Sequence, residues 1–322
     1  MKCISIVSSP LQLLNFKEYI NNFHINDYFL IILVYNQEEY NQFKKLVGFY
    51  KLNSNLIFKG KKILQYYKLY KLSKKYSYVD ELIIGNFFTD PHLYLVNKIN
   101  CRKLIVLDDG MSSTLIPEYI GTQKRILKSS FLRNCIFKIF SIDVSYPKYI
   151  NLFTFFNNIT SKKINVISNN LFFTKNLISD IELKDEVFLI GQPFVEINLI
   201  KKQDYFNYLK KLKRNFKNIT YIPSRKELRN KIDEIENSLE YKILYPGINI
   251  ELFFIIENFL PKKIFSFTST SLILLDLIFN SKENLTDINS IILESTEKRF
   301  SSSIISSYYD TIKKCNLKMV KI

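Results

Sequence analysis

The chain has 322 residues, 47% of them hydrophobic and 15% aromatic, and carries a formal net charge of +16. That is about twice the usual domain length, so two domains are expected, and the apolar content excludes a disordered chain. The charge calls for an anionic partner (a nucleic acid, an anionic membrane face or a phosphorylated substrate), unless lysine is simply the favoured surface residue of a Trp-free, Asn- and Ile-rich sequence.

The N-terminal MKCISIVSSP holds an apolar run too short for a signal peptide, and no run reaches the ~18 apolar residues of a membrane span. Short apolar runs then alternate with helical patterns. Strands are expected at Cys3–Val7, Phe29–Val34, Asn55–Phe58, Glu81–Ile84 and Leu104–Leu107. Helices are expected between them, at Leu11–Asn21, Glu39–Phe49, Lys62–Lys75 and Pro91–Asn97. This order implies a parallel sheet covered on both faces. The basic, Asn- and Phe-rich segment 122–185 is harder to read, with strand-like pieces at Ile139–Val144 and Lys163–Ile167.

The alternation restarts beyond it. Strands fit Val187–Ile190, Ile219–Ile222, Tyr241–Leu244, Ile264–Phe267 and Ser290–Leu293; helices fit Tyr205–Arg214, Arg225–Leu239, Ile250–Phe259, Ser269–Phe279 and Ser301–Lys314. The fold class is therefore α/β, with two Rossmann-like domains of parallel sheets facing a central cleft, residues 1–175 and 186–322. Cys3, Cys101, Cys135 and Cys315 form no CxxC pair, so neither a disulfide nor a zinc site is expected, and a reducing cytoplasm fits.

Ligands of open α/β sheets bind beyond the carboxyl ends of the strands, and several loops there are polar. In LDDGMSS (107–113), Asp108 and Asp109 share a sharp turn with Gly110. Two adjacent, half-buried carboxylates do not both ionise easily, so one should rise toward base-competent values; an exposed Asp-Asp-Gly turn is the plain alternative. LIGQPFVE (189–196) turns at Gly191-Gln192-Pro193, where the backbone could approach a ligand. In YIPSRKE (221–227) a strand stops at Pro223 and a hydroxyl, Ser224, and a guanidinium, Arg225, precede a helical pattern, which is how an anion site is built. YPGINIELF (245–253) sets Pro246 and Gly247 before Glu251. Thr268, Ser269, Thr270 and Ser271 directly precede an apolar helix and offer either a phosphate seat or a plain cap.

No GxGxxG or P-loop is present, the two histidines (His24 and His92) form no metal-spaced cluster, and no nucleic-acid-binding motif appears. No metal or other cofactor and no nucleic-acid partner are expected.

Taken in order, SSPLQLLN (8–15), DDG, GQP, YIPxRxE, YPGxxxE and the Ser/Thr run resemble the bacterial GT-B sialyltransferases of the lipooligosaccharide type, glycosyltransferase family 52. The resemblance spans nearly the whole chain. It implies CMP-sialic acid as donor, inversion without metal, and a galactose-type acceptor on a lipooligosaccharide or capsular glycan. It implies Asp109 as base, Ser9 and Gln12 on the acceptor side with Asp108 and Gly110, Glu251 on the cytidine ribose, and Thr268, Ser269 and Thr270 on the phosphate. Gly191, Gln192, Pro246 and Gly247 would line the donor loops. One departure stands out: sialyltransferases of this type carry a histidine after the Ile-Pro, where this chain has Ser224, leaving Ser224 and Arg225 to face the departing phosphate. Another nucleotide-sugar donor, or a catalytically silent sugar-nucleotide-binding relative, are the alternatives. The expected location is cytoplasmic, with peripheral contact to an anionic inner membrane face, and a homodimer is one assembly the reading allows.

Overall fold

The computed structural model describes residues 3–60, 62–122, 137–138, 142–178, 181–280, 285–294, 309–315 and 317–322. Two compact units make up the chain, Met1–Phe173 and Thr174–Ile322. Each is built on a parallel sheet.

In the first unit the strands are β1 (Cys3–Val7), β2 (Tyr28–Val34), β3 (Asn55–Lys59), β4 (Tyr78–Ile84), β5 (Asn100–Leu107), β6 (Ile150–Thr154) and β7 (Ile164–Ser168). They pair in the order β3-β2-β1-β4-β5-β6-β7, all parallel. All five residues of β1, CISIV, are buried, as a central strand covered on both faces requires. The helices Pro10–Asn22, Gln37–Phe49, Lys62–Lys75 and Asp90–Val96 follow β1 to β4 in turn. Right-handed crossovers then place those on the two sides of β1 against opposite faces.

The second unit contains β8 (Glu182–Ile190), β9 (Ile219–Ile222), β10 (Lys242–Ile243), β11 (Phe259–Ser266), β12 (Asp287–Ile291) and β13 (Lys318–Val320), in the order β10-β9-β8-β11-β12-β13. Its core is aromatic: Phe194, Tyr205, Tyr208, Tyr221, Tyr241 and Phe267 pack with the aliphatic strand residues.

Several boundaries differ from expectation. Residues 142–144 are not a strand, and the sixth strand is instead Ile150–Thr154, beyond Pro147; residues 139–141 lie outside the described set. β11 begins at Phe259, where the helix Ile250–Phe259 was expected still to run; that helix ends at Ile256. Pro261 hid this strand, because proline cannot donate to a ladder, and the pairing with β8 accommodates it by a register shift between Pro261 and Lys263. The helix expected from Arg225 begins at Arg229. Of the helix expected at Ser301–Lys314, residues 309–314 are helical and 301–308 lie outside the described residues. Among the described residues, no helix is long and apolar enough to cross a membrane.

Candidate active site

In the first unit the sheet order reverses between β1 and β4, and the carboxyl ends of β1, β4 and β5 lie side by side. Such a switch point is where open α/β sheets bind ligands. Three loops converge on one carboxylate there. From the β1 loop, Gln12 Nε2 donates to Asp109 Oδ1 at 2.8 Å and Ser9 Oγ at 3.4 Å. From the β4 loop, the Asn86 amide donates to Asp109 Oδ2. Asp109 itself follows β5 and is partly exposed.

Local sequence explains why these groups are fixed. Ser9 caps the helix Pro10–Asn22, accepting from Gln12 N, and Pro10 starts it. Gln12 is buried and its Oε1 accepts from Ser8 N at 2.7 Å, which orients the Nε2 toward Asp109. Gly85 leaves room for that side chain, since a Cβ there would stand 2.4 Å from Gln12 Oε1. Asn86 is held in turn: its N–H donates to His92 Nδ1 at 3.0 Å and its Oδ1 accepts from Phe88 N at 2.7 Å. His92 is wholly buried, and burial lowers its pKa to about 3, so it is neutral and accepts.

Beneath Asp109, Asp108 is wholly buried. Its Oδ1 accepts from Gly110 N at 2.9 Å and Ser113 Oγ at 2.8 Å, and its Oδ2 accepts from the Thr154 hydroxyl. Burial raises its pKa to about 7; the three hydrogen bonds oppose the rise and the charge of Asp109 adds to it. Asp108 thus has its carboxyl raised by burial, folds the turn and faces no solvent. Gly110 has φ 73°, a left-handed conformation that glycine adopts without strain. Asn15 Nδ2 donates to the Asp108 carbonyl at 2.8 Å and its Oδ1 accepts from Asn169, tying the turn to the first helix and to the residue after β7.

In the second unit the order reverses between β8 and β11. Gly191 and Gln192 follow β8, and Thr268 and Ser269 stand just beyond β11. A Cβ on Gly191 would lie 2.3 Å from the Tyr221 hydroxyl and 2.4 Å from Glu227 Oε2. The glycine is required by this internal crowding rather than by open space for a ligand.

The turn of YIPSRKE is occupied by the chain's own anions. Glu227, with a side chain 0% exposed, accepts from Ser224 N at 2.5 Å, from the Tyr221 hydroxyl at 2.5 Å and from Lys231 Nζ at 2.7 Å. Lys231, 4% exposed, also pairs with Glu196 at 3.0 Å, and Glu196 Oε1 accepts from Leu228 N. The N–H groups of Ser224 and Leu228, on the turn that leads into this helix, therefore point at Glu227 and Glu196. Burial raises the Glu227 carboxyl, and Lys231 opposes that rise. Arg225 stays exposed on the turn, outside the helix.

Glu251 is buried 3% exposed on the helix Ile250–Ile256, where its carboxyl is raised by burial and is hydrogen-bonded by Ser271 and Asn249. Ser269 caps the helix Thr270–Phe279, accepting from Ser271 N at 3.3 Å. The YPGxxxE motif and the Ser/Thr run thus meet at one helix start. Pro246 and Gly247 form the turn after β10, with Gly247 exposed at φ 70°.

The structure therefore gathers Ser9, Gln12, Asp108, Asp109 and Gly110 in the first unit. In the second it joins Gly191 to the Ser224 turn, and Glu251 to Ser269. Sequence reasoning missed Asn86, Thr154 and the pairing of Tyr221, Glu227 and Lys231; His92 and Glu196, which it held as reserve candidates for the base, instead accept from Asn86 N and pair with Lys231, respectively. Asn86 was reachable, because Gly85-Asn86 closes a strand that neighbours both β1 and β5. Among the described residues, no group of three His, Cys, Asp or Glu could hold a metal ion.

No protein-family profile matches this sequence. No curated protein matches it. Among solved structures, the chain is similar to S. aureus MnaA in a co-structure with UDP, with a TM-score of 0.54 and 8% identity over 97% of this chain and 87% of the other. It is similar to the UDP-GlcNAc 2-epimerase of Methanocaldococcus jannaschii in complex with UDP-GlcNAc and UDP, at 0.52 and 12% over 98% and 92%. The UDP-GlcNAc 2-epimerase of Neisseria meningitidis, bound to UDP-GlcNAc, gives 0.52 and 10% over 98% and 91%. Likeness at these identities establishes the fold: two parallel-sheet α/β units of the GT-B class.

Two predictions follow from the buried charges. Lys231→Met strands Glu227 and Glu196 without a cation and should lower the unfolding free energy by about 3–5 kcal/mol in urea titrations. Adding Glu227→Gln to that variant should recover part of the loss, and a double variant worse than the single one would refute the pairing. For Asp108, the folded carboxyl titrates near 7 against 3.8 ordinarily, so the folded state holds a proton that the unfolded chain releases between those values. Its contribution is therefore fully present below pH 3.8 and is lost as pH rises toward 7. Asp108→Asn, neutral throughout, should gain on the wild type by on the order of 4 kcal/mol between pH 4 and 7, read as the difference between their unfolding free energies. A difference that stays flat with pH would contradict the assignment.

Proposed function

We propose that the chain is an inverting glycosyltransferase that transfers sialic acid from CMP-sialic acid to a galactose-type hydroxyl of a lipooligosaccharide or capsular glycan. The observation that carries this reading is Asp109: a partly exposed carboxylate at the switch point of the first sheet, aimed by Gln12, Ser9 and Asn86. The GT-B fold and the ordered motifs support it.

In the proposed reaction Asp109 takes the proton of the acceptor hydroxyl. The acceptor oxygen forms its bond to the anomeric carbon as the carbon–oxygen bond to the phosphate breaks, and CMP leaves with that electron pair. Ser9 and Gln12 keep the base oriented. The Thr268–Thr270 run and Glu251 are assigned to the nucleotide, and no metal is required. Residues 174–322 contain no histidine, so charge rather than a histidine proton offsets the leaving phosphate, and Arg225, exposed in the motif beside Lys226, is the cation assigned to it.

A second reading keeps the fold and changes the nucleotide to a uridine diphosphate sugar. It is favoured by Ser224 in place of histidine and by fold neighbours whose structures hold UDP or UDP-GlcNAc. Calorimetry with CMP and UDP in EDTA separates the two. CMP should bind more tightly, and chelation should not abolish binding; tighter UDP binding would transfer the proposal to the second reading.

Asp109→Asn should lower CMP release from CMP-sialic acid with a galactoside acceptor by about 10²–10⁴-fold, with CMP affinity nearly unchanged. Full activity in that variant, or a parallel loss of CMP binding, would remove Asp109 from the base role.

A further inference from the structure

We propose that the outward face of the helix Lys62–Lys75 docks this protein on an anionic lipid bilayer. The helix has one side committed to the first unit. Gln65, Leu69, Leu72 and Ser73 are buried. Gln65 Nε2 donates to the carbonyls of Val34 at 3.1 Å and Gly60 at 3.2 Å, pinning the helix to the ends of β2 and β3.

Among the described residues the opposite side is uncovered, and it is chemically mixed. Leu64, Tyr67 and Tyr70 are 48%, 54% and 48% exposed. Between them stand Lys68, Lys71, Lys74 and Lys75, and the segment 62–75 contains no acidic residue. The Lys71 ammonium lies 4.7 Å from the Tyr67 ring centre and Lys74 lies 5.5 Å from that of Tyr70. Tyrosines flanked by lysines suit a lipid headgroup layer: the rings enter the interface while the long lysine stems keep their charge among anionic phosphates.

Two comparisons isolate this face from the general excess of lysine. The helix Lys202–Asn215 is also basic, but its Tyr205, Phe206 and Tyr208 are buried, so it offers charge without apolar groups. A nucleic acid is gripped best by arginine forks that hold its phosphates in pairs, and this helix has none. A bilayer has no such requirement.

The test is co-sedimentation of the full chain with phosphatidylcholine vesicles prepared with and without phosphatidylglycerol, across a salt series. Binding should require the anionic lipid and weaken with salt. Lys71→Ala/Lys74→Ala should reduce partitioning about 30-fold, the product of two lysines near the surface. Tyr67→Ser/Tyr70→Ser should reduce it at unchanged charge. Lys210→Ala/Arg214→Ala, which removes the same charge from the other helix, should keep wild-type partitioning. Equal binding to neutral and anionic vesicles, equal loss in both charge variants, or binding of an oligonucleotide through Lys71 and Lys74 without vesicle binding would overturn the proposal.

Discussion

Everything at the candidate site of the first unit depends on the convergence of three strand-end loops on the Asp109 carboxylate. A parallel sheet whose order reverses between β1 and β4 leaves their carboxyl ends adjacent but their helices on opposite faces, so the loops diverge and open a crevice. A carboxylate placed there is useful only if it is held. Gln12, Ser9 and Asn86 hold it, and each is fixed by something else: a helix cap, a missing Cβ at Gly85, a neutral histidine. The chain uses Asp108 to build the turn and Asp109 to present a charge. One residue pair therefore has two environments, one dry and one half open.

The second unit solves the same topological problem differently. At the turn after β9, N–H groups that could receive a ligand's anion face Glu227 and Glu196, and a buried lysine balances both carboxylates. Burying three charged groups is costly unless every partner is in place. What it yields here is a fixed geometry for the GQP and YIPSR loops, because Tyr221 and Glu227 fill the space beside Gly191.

Much of this was legible in the sequence, for identifiable reasons. The strands β1 and β9 were read with their observed ends, since CISIV and ITYI are apolar runs bounded by clear turn or helix-start residues. Asp108 and Asp109 could be singled out because paired carboxylates after a buried strand are conspicuous. That Asp108 would be buried was not legible, since that depends on Thr154 and Ser113 closing over it. The Arg225 helix start was misread because Glu227 continues a helical pattern locally. Its carboxylate instead folds back onto Ser224 N, a choice settled by Tyr221 and Lys231 from elsewhere in the fold. β11 was shortened by Pro261, whose cost to the ladder is absorbed by an irregularity that no local pattern announces.

The placement of charge then links the interior to the surface. Burial raises the carboxyls of Asp108, Glu227 and Glu251, so all three strand-end sites hold acids whose charged form is disfavoured by desolvation. Long-range attraction from a chain of net charge +16 acts the other way, favouring anions near it. The exposed lysines that produce that field stand apart from these buried acids; the cation beside Glu227 is Lys231, which is itself buried. A surplus of surface cations consequently remains for outside anions. On the helix Lys62–Lys75 that surplus coincides with exposed tyrosines, and that coincidence, more than charge, distinguishes this face from the equally basic helix Lys202–Asn215.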